Sequence, residues 1–124
     1  MAVTELTQTD FDQTITDNGF VIVDFWAPWC GPCRSFAPVY EKVSGEHDDI
    51  VFAKVNTEDE TALAQMFGIR SIPTLMIFRD QIIIYSNPGA LPESAFQDLI
   101  GQARNLDMDK VRAEIAARQE SAKA

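Results

Sequence analysis

The chain reads as an α/β protein, because apolar runs of strand length alternate with segments of helical periodicity. Phe20-Val21-Ile22-Val23-Asp24-Phe25-Trp26 is nearly continuous in apolar residues, the pattern of a strand covered on both faces. Val51-Phe52-Ala53-Lys54-Val55 is a second strand. Thr74-Leu75-Met76-Ile77-Phe78 and Ile82-Ile83-Ile84-Tyr85 flank Asp80-Gln81, which predicts a hairpin of antiparallel neighbours. The predicted order, β-α-β-α-β-α-β-β-α, implies a mostly parallel sheet flanked by helices.

Each element has its local signal. Val3 to Leu6 is a short edge strand. The polar Thr9-Asp10 start opens a helix from Phe11 to Asp17, and a longer helix follows from roughly Gly31 to Glu46. Pro38 falls inside that helix, where it removes the hydrogen bond to the Arg34 carbonyl and predicts a kink. Glu60 to Phe67 is helical and Gly68 ends it. Pro92-Glu93 opens a helix in which Phe96, Leu99, Ile100 and Ala103 recur at helical spacing and face the sheet. Further on, Leu106 and Val111 bracket Asp107 as a hydrophobic staple around an N-cap aspartate, with Ile115 on the same face. One more helix is expected there, its Leu106-Met108-Val111-Ile115 stripe packing on the domain or on a second copy. Gln119 to Ala124 carries little to bury and is expected to fray.

At 124 residues and 46% hydrophobic content, the chain supports one core and no second large domain. A net charge of −9 lacks the cationic face that phosphate neutralisation requires, so nucleic acid and anionic membranes are not expected partners. Met1 to Gln8 has neither a basic start nor an apolar run, which predicts a cytoplasmic protein. No G-x-G-x-x-G and no G-x-x-x-x-G-K occurs, so a bound nucleotide is not expected.

The chemistry concentrates in Cys30-Gly31-Pro32-Cys33. Cys30 falls where an apolar strand has turned into a helix, beside backbone N–H groups at a positive dipole end that favours thiolate. Cys33 follows nearly one helical turn later, within disulfide reach and shielded by the chain around it. Cys30 is therefore the candidate nucleophile and Cys33 the resolving thiol. Pro32 stiffens the loop and removes a donor. A structural zinc site normally takes four ligands, and beyond this pair the chain offers only His47. A purely structural disulfide stays open as an alternative, although so small a loop restrains little chain entropy. His47 lies in the polar loop 44–49 and reads as a solvated histidine. As a base for a cysteine protease it sits at the far end of the cysteine helix, roughly 20 Å away at a rise of 1.5 Å per residue. Asp24 interrupts an apolar strand, and a buried lone carboxylate is costly unless paired or protonated. It is either a functional acid or an aspartate at a wet strand end.

Val23-Asp24-Phe25-Trp26-Ala27-Pro28-Trp29-Cys30-Gly31-Pro32-Cys33 resembles the active-site segment of the thioredoxin family, and the likeness extends from about residue 4 to residue 103. The resemblance implies the thioredoxin fold, a central mixed β-sheet flanked by helices, here with an extra C-terminal helix. By the same likeness Asp24 is the buried acid that takes the proton from Cys33, and Lys54 is its charge partner. Gly68-Ile69-Arg70-Ser71-Ile72-Pro73-Thr74-Leu75 resembles the family loop that carries a cis proline. A cis Ile72-Pro73 bond is thus expected, although only about one X-Pro bond in twenty is cis in folded proteins. Trp29, Gly31, Pro32, Ile72, Pro73, Gly89 and Ala90 correspond to the family's substrate-docking surface, with the Ile72 backbone pairing to an extended client segment. Asn87-Pro88-Gly89, taken alone, reads as a turn. Asp80-Gln81 stands where the family typically has a glycine, which predicts a longer or strained turn, and Arg34 stands where many members have lysine.

The resemblance further implies a monomeric protein-disulfide reductase that holds no cofactor itself, fed by a flavin- and NADPH-dependent thioredoxin reductase. Its clients would be of the kind represented by ribonucleotide reductase, peroxiredoxin and methionine sulfoxide reductase. A thioredoxin-fold interaction module and a client-specific reductase are the alternatives. Residues 1–105 are expected to form the thioredoxin domain and residues 106–124 a helical extension.

Overall fold

The computed structural model describes residues 3–123. Its elements are β1 (Val3–Glu5), α1 (Phe11–Asp17), β2 (Phe20–Trp26), α2 (Gly31–Ser44), β3 (Val51–Asn56), α3 (Thr61–Met66), β4 (Thr74–Arg79), β5 (Ile82–Pro88), α4 (Glu93–Arg104) and α5 (Met108–Lys123). The strands form one sheet in the order β1-β3-β2-β4-β5. The fold class is the expected one, but the sheet is evenly mixed: β3 pairs in parallel with β1 and β2, while β4 pairs antiparallel with β2 and β5. The helix before β4 explains this. Six residues of α3 span only about 9 Å, too short to carry the chain back along the sheet for a parallel crossover. β4 therefore starts at the end where β3 finishes.

Because side chains alternate across a strand, the all-buried β2 feeds two apolar layers. Ile22, Phe52, Leu75 and Ile77 meet Phe36, Tyr40 and Val43 of α2 and Phe96 and Ile100 of α4 on one face. Val21, Val23, Phe25, Val55 and Met76 meet Phe11 and Ile15 of α1 and Leu63 of α3 on the other. Packing on both faces fixes β2 rigidly, and β2 delivers the site.

Several local expectations are revised. β5 continues through Pro88, so Asn87-Pro88 is strand rather than turn and only Gly89 turns, at φ 111°. The β4–β5 turn is not lengthened. Arg79 pairs with Ile82, and Asp80 and Gln81 both take positive φ, 52° and 70°, the strained alternative. His47 is half-buried rather than free in solvent: Nε2 lies 2.9 Å from Gln97 Oε1 and Nδ1 lies 3.0 Å from Arg104. The polar sequence around it concealed partners supplied by α4, about fifty residues away.

The final helix starts as expected. The Lys110 N–H donates to Asp107 Oδ1 at 3.2 Å, and Met108 is buried. Val111 and Ile115 are half-buried, whereas Leu106 is 39% exposed. Arg112 joins α5 to the hairpin through Asp80 at 2.9 Å. Instead of fraying from Gln119, the helix continues to Lys123; the Ala124 part of that expectation lies outside the described residues, as does Met1-Ala2. No helix among the described residues is long and apolar enough to cross a membrane.

Candidate active site

The site forms where β2 ends and α2 begins. After Trp26 the chain turns through Ala27-Pro28-Trp29, and the Cys30 N–H donates to the Ala27 carbonyl at 3.2 Å. Cys30 is the N-cap of α2, with extended backbone, and its Sγ accepts the Cys33 N–H at 3.2 Å. A helix start leaves such N–H groups without backbone partners, so a sulfur in the capping position is their natural acceptor. Pro32 falls in the first turn, where a missing donor costs nothing. The two Cα atoms are 5.2 Å apart and the sulfurs are joined as a disulfide. Both cysteines are covered, Cys30 at 4% and Cys33 at 3% exposure, so in this oxidised form the shielding expected for Cys33 extends to Cys30 as well.

Opposite the disulfide, Ile72-Pro73 is cis, as expected from the resemblance, and the Ile72 carbonyl oxygen lies 3.8 Å from Cys30 Sγ. The Gly89 N–H donates to the Pro73 carbonyl at 2.8 Å, which brings the Gly89-Ala90 segment against this loop. Gly89 holds a φ that side chains resist, and a Cβ there would meet nothing within 4 Å, so backbone conformation rather than space selects glycine. Of the residues assigned to the docking surface, Trp29, Gly31, Pro32, Gly89 and Ala90 are exposed and Ile72 is half-buried. Pro73 is buried, so its ring is part of the packing beneath that surface.

Beneath the disulfide lies a cavity of about 100 Å³, lined by Asp24, Trp26, Cys33, Tyr40, Lys54 and neighbours. That is room for a few water molecules. Asp24 is 4% exposed, which removes the wet-strand-end alternative, and its Oδ1 has no hydrogen-bond partner among the described residues. Burial pushes its carboxyl up to about 7 from an ordinary 3.8, against a smaller downward pull from Lys54. Lys54 is opposite Asp24 in the β2–β3 register, yet its ion pair among the described residues is with Glu5, at 3.9 Å, and its Nζ stands 4.7 Å above the Trp26 ring. The expected partnership is therefore one of field and not of contact.

Two participants, Tyr40 and Glu58, escaped the sequence reading. Tyr40 lines the same cavity, its hydroxyl 2.7 Å from the Ala53 carbonyl and 2.9 Å from that of Ile22. Its separation of seven residues from Cys33, two helical turns, was a usable signal. Glu58 accepts a short hydrogen bond from the Trp29 indole, and Arg34 donates to the Pro28 carbonyl at 2.9 Å. Glu58 is twenty-nine residues from Trp29 and carried no local signal.

On this scaffold, a disulfide that opens and closes within one helical turn beside a buried acid serves thiol–disulfide exchange, and the chain is a thiol–disulfide oxidoreductase. The thioredoxin family model matches residues 2–102. A thioredoxin homologue from Streptomyces coelicolor is 60% identical over 118 residues, covering 95% of this chain and 88% of its own. Thioredoxin 1 of Synechococcus elongatus is 44% identical over 97 residues, covering 77% and 91%. Among solved structures, a thioredoxin mutant from Halobacterium salinarum superposes with a TM-score of 0.77 at 36% identity, covering 85% of this chain and 93% of that one. The chain belongs to the thioredoxin family. It is a protein-disulfide reductase acting through a Cys-Gly-Pro-Cys pair, and its partners are, in general, a reductase and proteins that carry disulfides.

Proposed function

We propose that Cys30 is the nucleophile, Cys33 the resolving thiol, Asp24 the proton acceptor and Lys54 the cation that tunes it. The observation carrying this reading is the capping geometry: the Cys33 N–H already donates to Cys30 Sγ, a contact that favours negative charge on sulfur. The reduced pair begins the cycle. Cys30 thiolate attacks one sulfur of a client disulfide, that S–S bond breaks, and one client sulfur leaves as thiolate and takes a proton from solvent. Cys33 then passes its proton to the Asp24 carboxylate and attacks Cys30 Sγ. The second client sulfur leaves, and two electrons have moved to the client. The Cys30–Cys33 disulfide is the product, which a reductase reopens with two electrons.

A carboxyl poised at about 7 supports the assignment of Asp24, because it exchanges protons readily at neutral pH. Trp29, Gly31, Pro32, Ile72, Gly89 and Ala90 form the client-docking surface, with Pro73 beneath them holding the Ile72 carbonyl beside the sulfur. Electrons come from a flavin- and NADPH-dependent thioredoxin reductase and pass to clients of the ribonucleotide reductase, peroxiredoxin and methionine sulfoxide reductase kinds. The protein works as a cytoplasmic monomer. Residues 1–105 are the redox domain and 106–124 an extension, a division supported by the family match ending at residue 102.

Cys33→Ser tests the reading: it accumulates a mixed disulfide between Cys30 and clients, whereas Cys30→Ser neither captures nor reduces them. Capture by the Cys30→Ser variant, through Cys33, would reverse the two roles.

A further inference from the structure

Trp29 is 63% exposed beside the disulfide, and its one polar atom, the indole N–H, is held by the carboxylate of Glu58. The loop that carries Glu58 is itself fixed. Thr57 donates to the Trp26 carbonyl through its N–H at 2.8 Å and its hydroxyl at 3.0 Å, and Asn56 Oδ1 accepts the Glu58 N–H at 3.0 Å. An exposed anion is thus anchored at the edge of the aromatic platform against which a client segment must lie. A fixed charge interacts with a partner without the ordering cost that a free glutamate would bear. Arg34, in the first turn of α2 and tied to the Pro28 carbonyl at 2.9 Å, places the opposite charge beside the Trp29 turn, so the chain's overall negative charge does not by itself set the local preference.

We propose that Glu58 is a specificity-determining residue that favours client disulfides flanked by a lysine or arginine side chain. The proposal rests on the docking surface assigned above and names the client chemistry it selects. A client cation beside its cysteine meets the Glu58 carboxylate while the client backbone lies along Ile72, and the Trp29 indole keeps its contact with the second carboxylate oxygen.

The test uses the full chain, reduced with a dithiol, and two cyclic disulfide peptides that differ only in lysine or glutamine next to one cysteine. At low salt the wild-type protein reduces the lysine peptide with a kcat/KM about threefold higher, the size an exposed ion pair supplies. Glu58→Gln retains an oxygen to accept the Trp29 indole N–H but loses the charge, and the ratio falls towards one. Asp59→Asn removes the same charge from the next residue and retains the wild-type ratio. Equal ratios in wild type and Glu58→Gln, or equal losses in both variants, overturn the proposal. Failure of the wild-type protein to reduce either peptide overturns instead the exchange reading beneath it.

Discussion

Asp24 and Lys54 face each other across the β2–β3 register without forming an ion pair, so the acid is buried with its charge only partly offset. This arrangement makes the carboxylate form expensive and leaves the proton easily exchanged. It also makes stability depend on pH.

Folded Asp24 titrates at about 7, whereas an exposed aspartate does so at 3.8. Between those values the folded protein binds a proton that the unfolded chain has lost, so this group's contribution falls as pH rises from about 4 to about 7 and is level above. Asp24→Asn, which mimics the protonated acid, should therefore stabilise the oxidised protein by roughly 4 kcal/mol at pH 8 and change little at pH 4. Denaturant unfolding at the two pH values checks this, and an equal effect at both would remove burial as the cause.

The same substitution should slow client release, because the variant lacks a base for the Cys33 proton. A fall of about 100-fold or more in turnover near pH 7 is expected for a lost general base. The loss should shrink as pH rises and Cys33 ionises unaided. Single-turnover reduction of a disulfide peptide across pH 6 to pH 9 reads it directly.

Tyr40 ties two strands together beside the cavity, and its hydroxyl is fully buried against backbone carbonyls. Tyr40→Phe removes the donor and leaves both acceptors without it. The expected loss is about 1 to 2 kcal/mol, measured by urea unfolding. No loss would mean that those carbonyls are already satisfied within the sheet.

Gln81 occupies a left-handed conformation at φ 70° without glycine's freedom. Gln81→Gly should raise stability by roughly 0.5 to 1 kcal/mol, the left-handed penalty less glycine's entropy cost. Asp80 is best kept, since its carboxylate pairs with Arg112. A lower unfolding midpoint in Gln81→Gly would refute strain at this turn.

Truncation after Asn105 removes the buried Met108 and the Arg112–Asp80 pair. Burial of a methionine is worth about 1.5 to 3 kcal/mol and an exposed pair at most about 1. A loss of about 2 kcal/mol with unchanged peptide turnover is expected by calorimetry and kinetics. Unaltered stability would mean that α5 contributes no packing.

What was legible in the sequence followed from local rules. The nearly continuous apolar run on either side of Asp24 marked β2, and the spacing of Cys30 and Cys33 marked a disulfide at a helix start. The direction of β4 was not legible, because it depends on the length of α3 compared with the sheet. His47 and Trp29 were misjudged or incompletely read for one reason: their partners, Gln97, Arg104 and Glu58, arrive from distant segments, and no periodicity reports such meetings. The resemblance made Lys54 the charge partner of Asp24, but its contacts with Glu5 and the Trp26 ring depend on side-chain reach, which strand pairing leaves undetermined.

The amide of Cys33 spends the hydrogen bond of a helix terminus on the very sulfur that undergoes exchange. Whenever Cys30 is alkylated, metallated or bridged to a client, the electron density that caps the first turn of α2 changes. The backbone signal of residue 33 is consequently a built-in gauge of what Cys30 is bonded to, readable without any added label.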